Sequence, residues 1–112
     1  MNKIDDLPRC PAEITLALAG DRWKILIIRE LLFGTKRFGE LRKRLAGISQ
    51  KVLTQHLRAM EESGLVNREV FAEVPPRVEY SLTDTGRSLK PVFDVICKWG
   101  EEYRENMKER ER

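Results

Sequence analysis

The chain has 112 residues, the length of one domain, and its 41% hydrophobic residues can form a modest core. Two cysteines and a single histidine are too few for a disulfide scaffold or a usual zinc cluster, so no structural metal and no cofactor are expected. The runs ILII and LLF fall far short of the roughly 20 residues that cross a bilayer, MNKIDD lacks a signal-peptide apolar region, and a cytoplasmic protein with no membrane partner is expected, its net charge of +3 leaning toward anionic partners.

In chain order, the first element lies in CPAEITLALAG, where Pro11 suits a first helical turn and Gly20 an end. Asp21 can then cap DRWKILIIRELLFG, in which Trp23, Ile27, Ile28, Leu31 and Leu32 recur at helical spacing until Gly34. This predicts a largely buried helix. In RFGELRKRLAG, Phe38, Leu41 and Leu45 form an apolar stripe from which Arg42, Lys43 and Arg44 point away, predicting a short helix that ends near Gly47. After the turn GIS, Ser49 is placed to cap a helix running to about Ser63, with Gly64 as its stop. Two helices joined by a tight glycine turn, over residues 38–63, make a helix-turn-helix candidate.

The second of these helices, ISQKVLTQHLRAM, shows no acid on its outward side. Between Glu40 and Glu61 twenty residues pass without a carboxylate, while Arg42, Lys43, Arg44, Lys51 and Arg58 supply five cations. Charge alone fits either a solvated basic helix pair or a phosphate-binding surface. At about 100° per residue, Leu53, Leu57 and Met60 fall in one narrow stripe facing the core, flanked by Val52 and Ala59. His56, at the edge of that stripe, reads as a packing residue. Opposite stand Lys51, Thr54, Gln55 and Arg58 on a single face that fits a major groove. Arg and Lys donate to guanine edges or phosphates, Gln can bond adenine through two atoms, and the Thr methyl can touch thymine. Glu61 and Glu62 come only in the last turn, where a reading helix has left the groove. Ser49, Gln50, Arg37 and Lys43 complete the candidate DNA contacts on these two helices.

The period then changes. LVNREVFAEV and RVEYSLT alternate, with Val66, Arg68 and Val70 matching Val78, Tyr80 and Leu82, which predicts a two-stranded hairpin. Pro75 and Pro76 belong at its tip because they cannot donate ladder hydrogen bonds. A hairpin after a helix-turn-helix is a wing, over residues 65–82. Arg77, with Arg68 as a second candidate, is expected to reach phosphates or the minor groove beside the recognised site, and the plainer reading makes both merely solubilising.

In TDTGRSLKPVFDVICKWGEEYRENMKERER, Thr83 offers a cap and Pro91 should kink or restart the helix. Leu89, Val92, Phe93, Ile96, Trp99, Gly100, Tyr103 and Met107 fall on one side. Such a stripe exceeds what a small domain needs to seal its own core, so part of it is expected to meet another chain. Dimerisation elements are placed at residues 8–20 and 84–108, with Leu16, Val92, Phe93, Ile96, Trp99 and Tyr103 as interface candidates. Cys97 flanks the stripe and reads as a packing residue, and KERER beyond Met107 as a frayed tail. Cys10 follows Arg9 and precedes Pro11 at a helix start, where a cation and the helix dipole favour a thiolate. It is a candidate oxidant or electrophile sensor; the alternative is a small side chain tucked into a dimer interface.

The blocks CPAE, GDRWKILIIRELLFGTKRFGELRKRLAGISQKVLTQHLRAMEESGLV, PPRVEYSLTDTGRSLKP and KWGEEY resemble, in this order and over nearly the whole chain, the HxlR-type winged helix-turn-helix transcriptional regulators of bacteria and archaea. The resemblance implies a homodimer paired through the first and last helices, with the helix from Ser49 to Ser63 reading DNA. It also implies that Cys10 occupies the position of an N-terminal cysteine that serves some members as a redox or electrophile sensor. The second cysteine that some members carry near the reading helix is absent, which puts that disulfide chemistry in doubt.

The expected fold is therefore α+β, mainly α: a single winged helix-turn-helix domain over residues 1–112 with added N- and C-terminal dimerisation helices. The expected function is a sequence-specific, double-stranded DNA-binding transcriptional regulator, a homodimer on a pseudo-palindromic operator, modulated by redox or electrophile chemistry or by a small-molecule effector of unknown identity. An enzyme is not expected, since no phosphate loop, nucleophile elbow or metal-ligand spacing occurs. RNA binding lacks a stacking platform of aromatics. The alternative is a winged-helix protein-interaction module without DNA binding, against which the acid-free face stands, since protein-binding faces more often show aromatic anchors.

Overall fold

The computed structural model describes residues 3–111. After a short 3-10 turn at Ile4–Asp6, α1 (Pro11–Ala19) starts with Pro11 in its first turn and closes as the Gly20 amide donates to Leu16 O at 2.9 Å. α2 (Arg22–Leu32) begins on Asp21, whose Oδ1 accepts from the Trp23 and Lys24 amides at 2.8 and 3.4 Å, meeting two of the donors that a helix start leaves unpaired. A two-residue strand, β1 (Lys36–Arg37), leads into α3 (Phe38–Arg44), where the Arg37 amide donates to Glu40 Oε1 at 3.0 Å. α4 (Gln50–Glu62) is capped by Ser49, whose Oγ accepts from the Val52 amide at 3.1 Å. Between α3 and α4 the chain turns through Gly47 at φ +92°, a region that side-chain-bearing residues rarely enter.

β2 (Val66–Phe71) and β3 (Arg77–Leu82) form the hairpin in the register the alternation predicts, with Val66 opposite Leu82, Arg68 opposite Tyr80 and Val70 opposite Val78. The sheet nevertheless has three strands, in the order β1-β3-β2, because Lys36 and Arg37 pair with Tyr80 and Glu79. The expected two-stranded hairpin is corrected in this respect; a strand of two residues is too short to show a period in sequence. Thr83 caps α5 (Asp84–Arg87), its Oγ1 accepting from the Gly86 amide at 2.9 Å, and the chain restarts as α6 (Lys90–Glu111) with Pro91 in the opening turn. The residues after Met107, expected to fray, continue α6 to Glu111, with Lys108 paired to Glu105 at 3.2 Å; Arg112 lies outside the described residues. Among the described residues no helix is long and apolar enough to cross a membrane.

The core joins α2, α3, α4 and the inner face of the sheet, with Ile27, Leu41, Leu53 and Met60 fully buried and Leu57, Val66 and Leu82 nearly so. Each such side chain contributes about 1.5–3 kcal/mol of burial. Among the described residues one charged side chain enters this interior: Glu30 of α2 is 4% exposed. Its carboxylate accepts from Arg29 Nε at 2.9 Å and from Arg44 Nε of α3, tying the two helices together. Burial pushes the Glu30 carboxyl up, but the hydrogen bonds and charges of Arg44 and Arg29 outweigh it and hold the group below its ordinary value of 4.5.

A carboxyl lowered on folding contributes stability above its unfolded value, and that contribution is lost as pH falls through the folded value. Acid titration followed by circular dichroism should therefore show stability falling from about pH 5 downward, by an increment that Glu30→Gln lacks. At neutral pH the same variant should lose about 1–3 kcal/mol, because one amide oxygen cannot serve two guanidinium groups and the amide buries new donors. Coincident acid transitions for the two proteins would contradict this role.

Gly86 generates a second expectation. A Cβ there would sit 2.2 Å from Leu65 O and 3.1 Å from Leu82 Cδ2, on a segment already fastened by Thr83 Oγ1 donating to Gly64 O at 2.6 Å. Gly86→Ala should cost about 1–3 kcal/mol through overpacking, read as a lower urea midpoint; an unchanged midpoint would show that the segment moves aside freely.

A candidate nucleic-acid interface

Burial of the α4 stripe orients everything opposite it. With Leu53, Leu57 and Met60 at 0, 2 and 0% exposure, the helix cannot rotate without exposing its core side chains, so Lys51, Gln55 and Arg58 stand exposed and Thr54 half-buried on the outer surface. Together with Gln50 they line one open depression. Gln50, Thr54 and Arg58 also border a cleft between α4 and the sheet, completed by Phe38, Arg68, Val78 and Tyr80. Glu61, expected from its position in the last turn to lie beyond the useful face, lines the same cleft and sets one carboxylate beside Arg58 and Arg68.

The remaining candidate contacts divide. Ser49 spends its oxygen on the α4 cap but keeps a hydroxyl hydrogen to donate. Arg37 and Lys43 are exposed at the two ends of α3, and Arg37 stands in register with Glu79. No ion pair engages Arg37, Arg42, Lys43, Lys51, Arg58 or Arg68 among the described residues. Arg44, counted in the basic cluster by sequence, is instead bonded to Glu30. Arg77, expected at the DNA, is engaged inside the wing: Glu73 and Glu79 oxygens lie 3.5 and 3.4 Å from its guanidinium, which covers the Phe71 ring at 4.0 Å. Sequence reasoning missed the partners of Arg44 and of Arg77. Their only signal there was the presence of nearby or similarly placed acids, which helical and strand periods do not rank.

His56 packs at the edge of the stripe as expected, 19% exposed at its side chain, but it also has an acid neighbour that sequence order conceals. Its Nε2 lies 3.6 Å from Asp21 Oδ1, the carboxylate that caps α2.

Away from this surface, α6 buries none of its residues within the chain. Val92, Ile96, Trp99 and Tyr103 are exposed, Trp99 and Tyr103 stack with centroids 5.5 Å apart, and Leu16 of α1 is exposed as well. Phe93 is half-buried, and an apolar groove runs between α1, α2 and α6, lined by Leu16, Ala19, Ile28, Leu89, Phe93 and Ile96 among others. Both cysteines are free and exposed, Cys10 immediately before α1 and Cys97 on α6. The reading of Cys97 as packed is corrected for the single chain, since α6 presents that position to solvent.

The family model for the HxlR-like helix-turn-helix matches residues 18–108. The chain is 46% identical over 103 residues to an uncharacterized HTH-type transcriptional regulator of Bacillus subtilis, YdeP, covering 92% of this chain and 80% of that protein. Among solved structures it is similar to the redox regulator HypR in its reduced form, with 42% identity, a TM-score of 0.84, and coverage of 89% of this chain and 99% of that one. It is also similar to the reduced form of the transcriptional regulator YodB from B. subtilis, with 38% identity, a TM-score of 0.76, and coverage of 86% and 95%. Each of these relatives is named as a regulator and none as an enzyme. A helix-turn-helix followed by a two-stranded wing that pairs with the short β1 before it, matched over most of its length by these proteins, makes the chain a member of the HxlR-like helix-turn-helix family of transcriptional regulators.

Proposed function

We propose that the protein regulates transcription in the cytoplasm as a homodimer that binds a pseudo-palindromic site in double-stranded DNA. The observation that carries this reading is the outer face of α4 from Gln50 to Met60, which holds no acid before the last turn and is held outward by the buried stripe of Leu53, Leu57 and Met60. Lys51, Thr54, Gln55 and Arg58 read or grip the major groove, Ser49 and Gln50 contact the strand at the helix start, and Arg37 and Lys43 grip flanking phosphates. The exposed apolar surface of α6, with Leu16, Val92, Phe93, Ile96, Trp99 and Tyr103, pairs two copies so that their α4 helices meet successive major grooves about 34 Å apart.

The test combines selection of bound duplexes from a random pool with sedimentation of the free protein. The selected sites should show two-fold symmetry, and Gln55→Ala should relax preference at particular base pairs by roughly 1–3 kcal/mol. Ile96→Glu should dissociate the dimer and weaken DNA binding in the same concentration range. A monomer at micromolar concentration, or a protein that captures no duplex at low salt, would remove this reading and favour a protein-interaction module.

Redox modulation through Cys10 forms part of the proposal. Its support is the exposure of Cys10 at the start of α1, beside the surface assigned to pairing, together with the redox regulator HypR among the structural relatives. Modification there would alter the approach of α1 to its partner and hence the spacing of the two α4 helices. Mild oxidant should change operator affinity in the natural sequence and leave Cys10→Ser unaffected; equal behaviour of both proteins would make Cys10 structural.

A further inference from the structure

The wing offers two arginines, and folding treats them in opposite ways. Side chains alternate between the faces of a strand, and residues directly opposite one another in the ladder share a face. The register puts Arg68 with Tyr80, and Val70 with Val78, on one face; Glu69 with Glu79, and Phe71 with Arg77, share the other. Val78 and Tyr80 border the cleft against α4 together with Arg68, so Arg68 stands on the face toward the outer surface of α4, near Thr54 and Arg58. Arg77 stands on the face turned away.

Their electrostatic surroundings differ as well. Arg77 is enclosed by Glu73 and Glu79 oxygens at 3.5 and 3.4 Å and lies 4.0 Å over the Phe71 ring. One cation among two carboxylates leaves a net negative spot, which repels phosphate. Arg68 is exposed and has no ion-pair partner among the described residues. The cleft it borders holds two cations, Arg58 and Arg68, against the single carboxylate of Glu61.

Building on the DNA-binding reading of α4, we propose that Arg68, and not Arg77, is the phosphate-binding cation of the wing. It continues the basic face of α4 onto the sheet. Arg77 is a positioning residue that braces the hairpin by lying over Phe71 between two carboxylates, and it makes no contact with the nucleic acid.

The experiment measures affinity across a range of salt for a random-sequence duplex of about 30 base pairs, roughly three helical turns. The natural sequence is compared with Arg68→Ala, Arg68→Lys, Arg77→Ala and Arg58→Ala, each checked for folding by circular dichroism. Every phosphate that a variant no longer neutralises makes the dependence of log affinity on log salt shallower by about 0.9. Arg68→Ala should therefore reduce the slope by about one unit per subunit, and Arg68→Lys should restore it because the charge remains. Arg77→Ala should leave the slope unchanged while lowering the melting temperature, which a purely structural brace predicts. The assignment is overturned if Arg77→Ala lowers the slope and Arg68→Ala does not, or if only Arg58→Ala lowers it, which would leave the wing without a phosphate partner. If the natural sequence itself shows no salt-dependent duplex binding, the DNA-binding reading fails first and this assignment with it.

Discussion

The structure depends on the burial of one narrow stripe on α4. Leu53, Leu57 and Met60 are removed from water almost completely, and together they contribute on the order of several kcal/mol of burial. Rotating α4 by a quarter turn in one sense would expose them and turn Thr54 and the Glu61 carboxylate toward the core, a large destabilisation for so small a domain. The outer face follows by subtraction, since a helix that must turn these residues inward has no freedom in what it shows to solvent. Ser49 at the start and Gly64 at the end, the latter at φ +80°, fix how long that face is. What the sequence withholds from that face ahead of Glu61, namely carboxylates, then becomes a property of the molecular surface.

Folding also sorts the cations, which composition cannot do. The chain holds 21 Lys and Arg against 18 Asp and Glu, a balance that would suit many proteins with no anionic partner. Arg44 is drawn to the buried Glu30, Arg77 to Glu73 and Glu79, and Arg87 to Asp84. These charges are neutralised close to home. Lys51 and Arg58 on α4 and Arg68 on β2 remain without ion-pair partners among the described residues, lining one cleft and the depression that adjoins it along α4. A modest formal charge of +3 thus becomes a concentrated one.

The Glu30 pair serves this arrangement from behind. A buried carboxylate is weak evidence of net stabilisation, since removing it from water costs much of what its partners return. Its effect is one of geometry: Arg44 ends α3 just before the turn that leads to α4, so anchoring it to α2 limits how that turn can swing. α6 is built on a different principle. It has a large apolar surface and no buried residue of its own, and the stacked Trp99 and Tyr103 pair stands exposed.

Much of this was legible in the residue order. Asp21, Ser49 and Thr83 cap the helices that follow them, the stripe on α4 points inward, and Val66 faces Leu82 in the register that alternation predicts. The outward set of Lys51, Thr54, Gln55 and Arg58 was legible for the same reason. All of these rest on interactions within a few residues or on a period of 3.6 or 2, which the sequence states directly. The third strand, the Glu30–Arg44 bond, the neighbouring of His56 and Asp21, and the contact of Gly86 with Leu65 were not legible, because each joins groups separated along the chain. The two arginines of the wing mark the boundary: alternation places them on opposite faces, but whether a given face meets α4 or the solvent, and which carboxylates wait there, is set by how the sheet packs. Local propensity specifies elements and their faces; the energy of a charge depends on every group within a few ångströms, and that neighbourhood exists only once the chain has closed on itself.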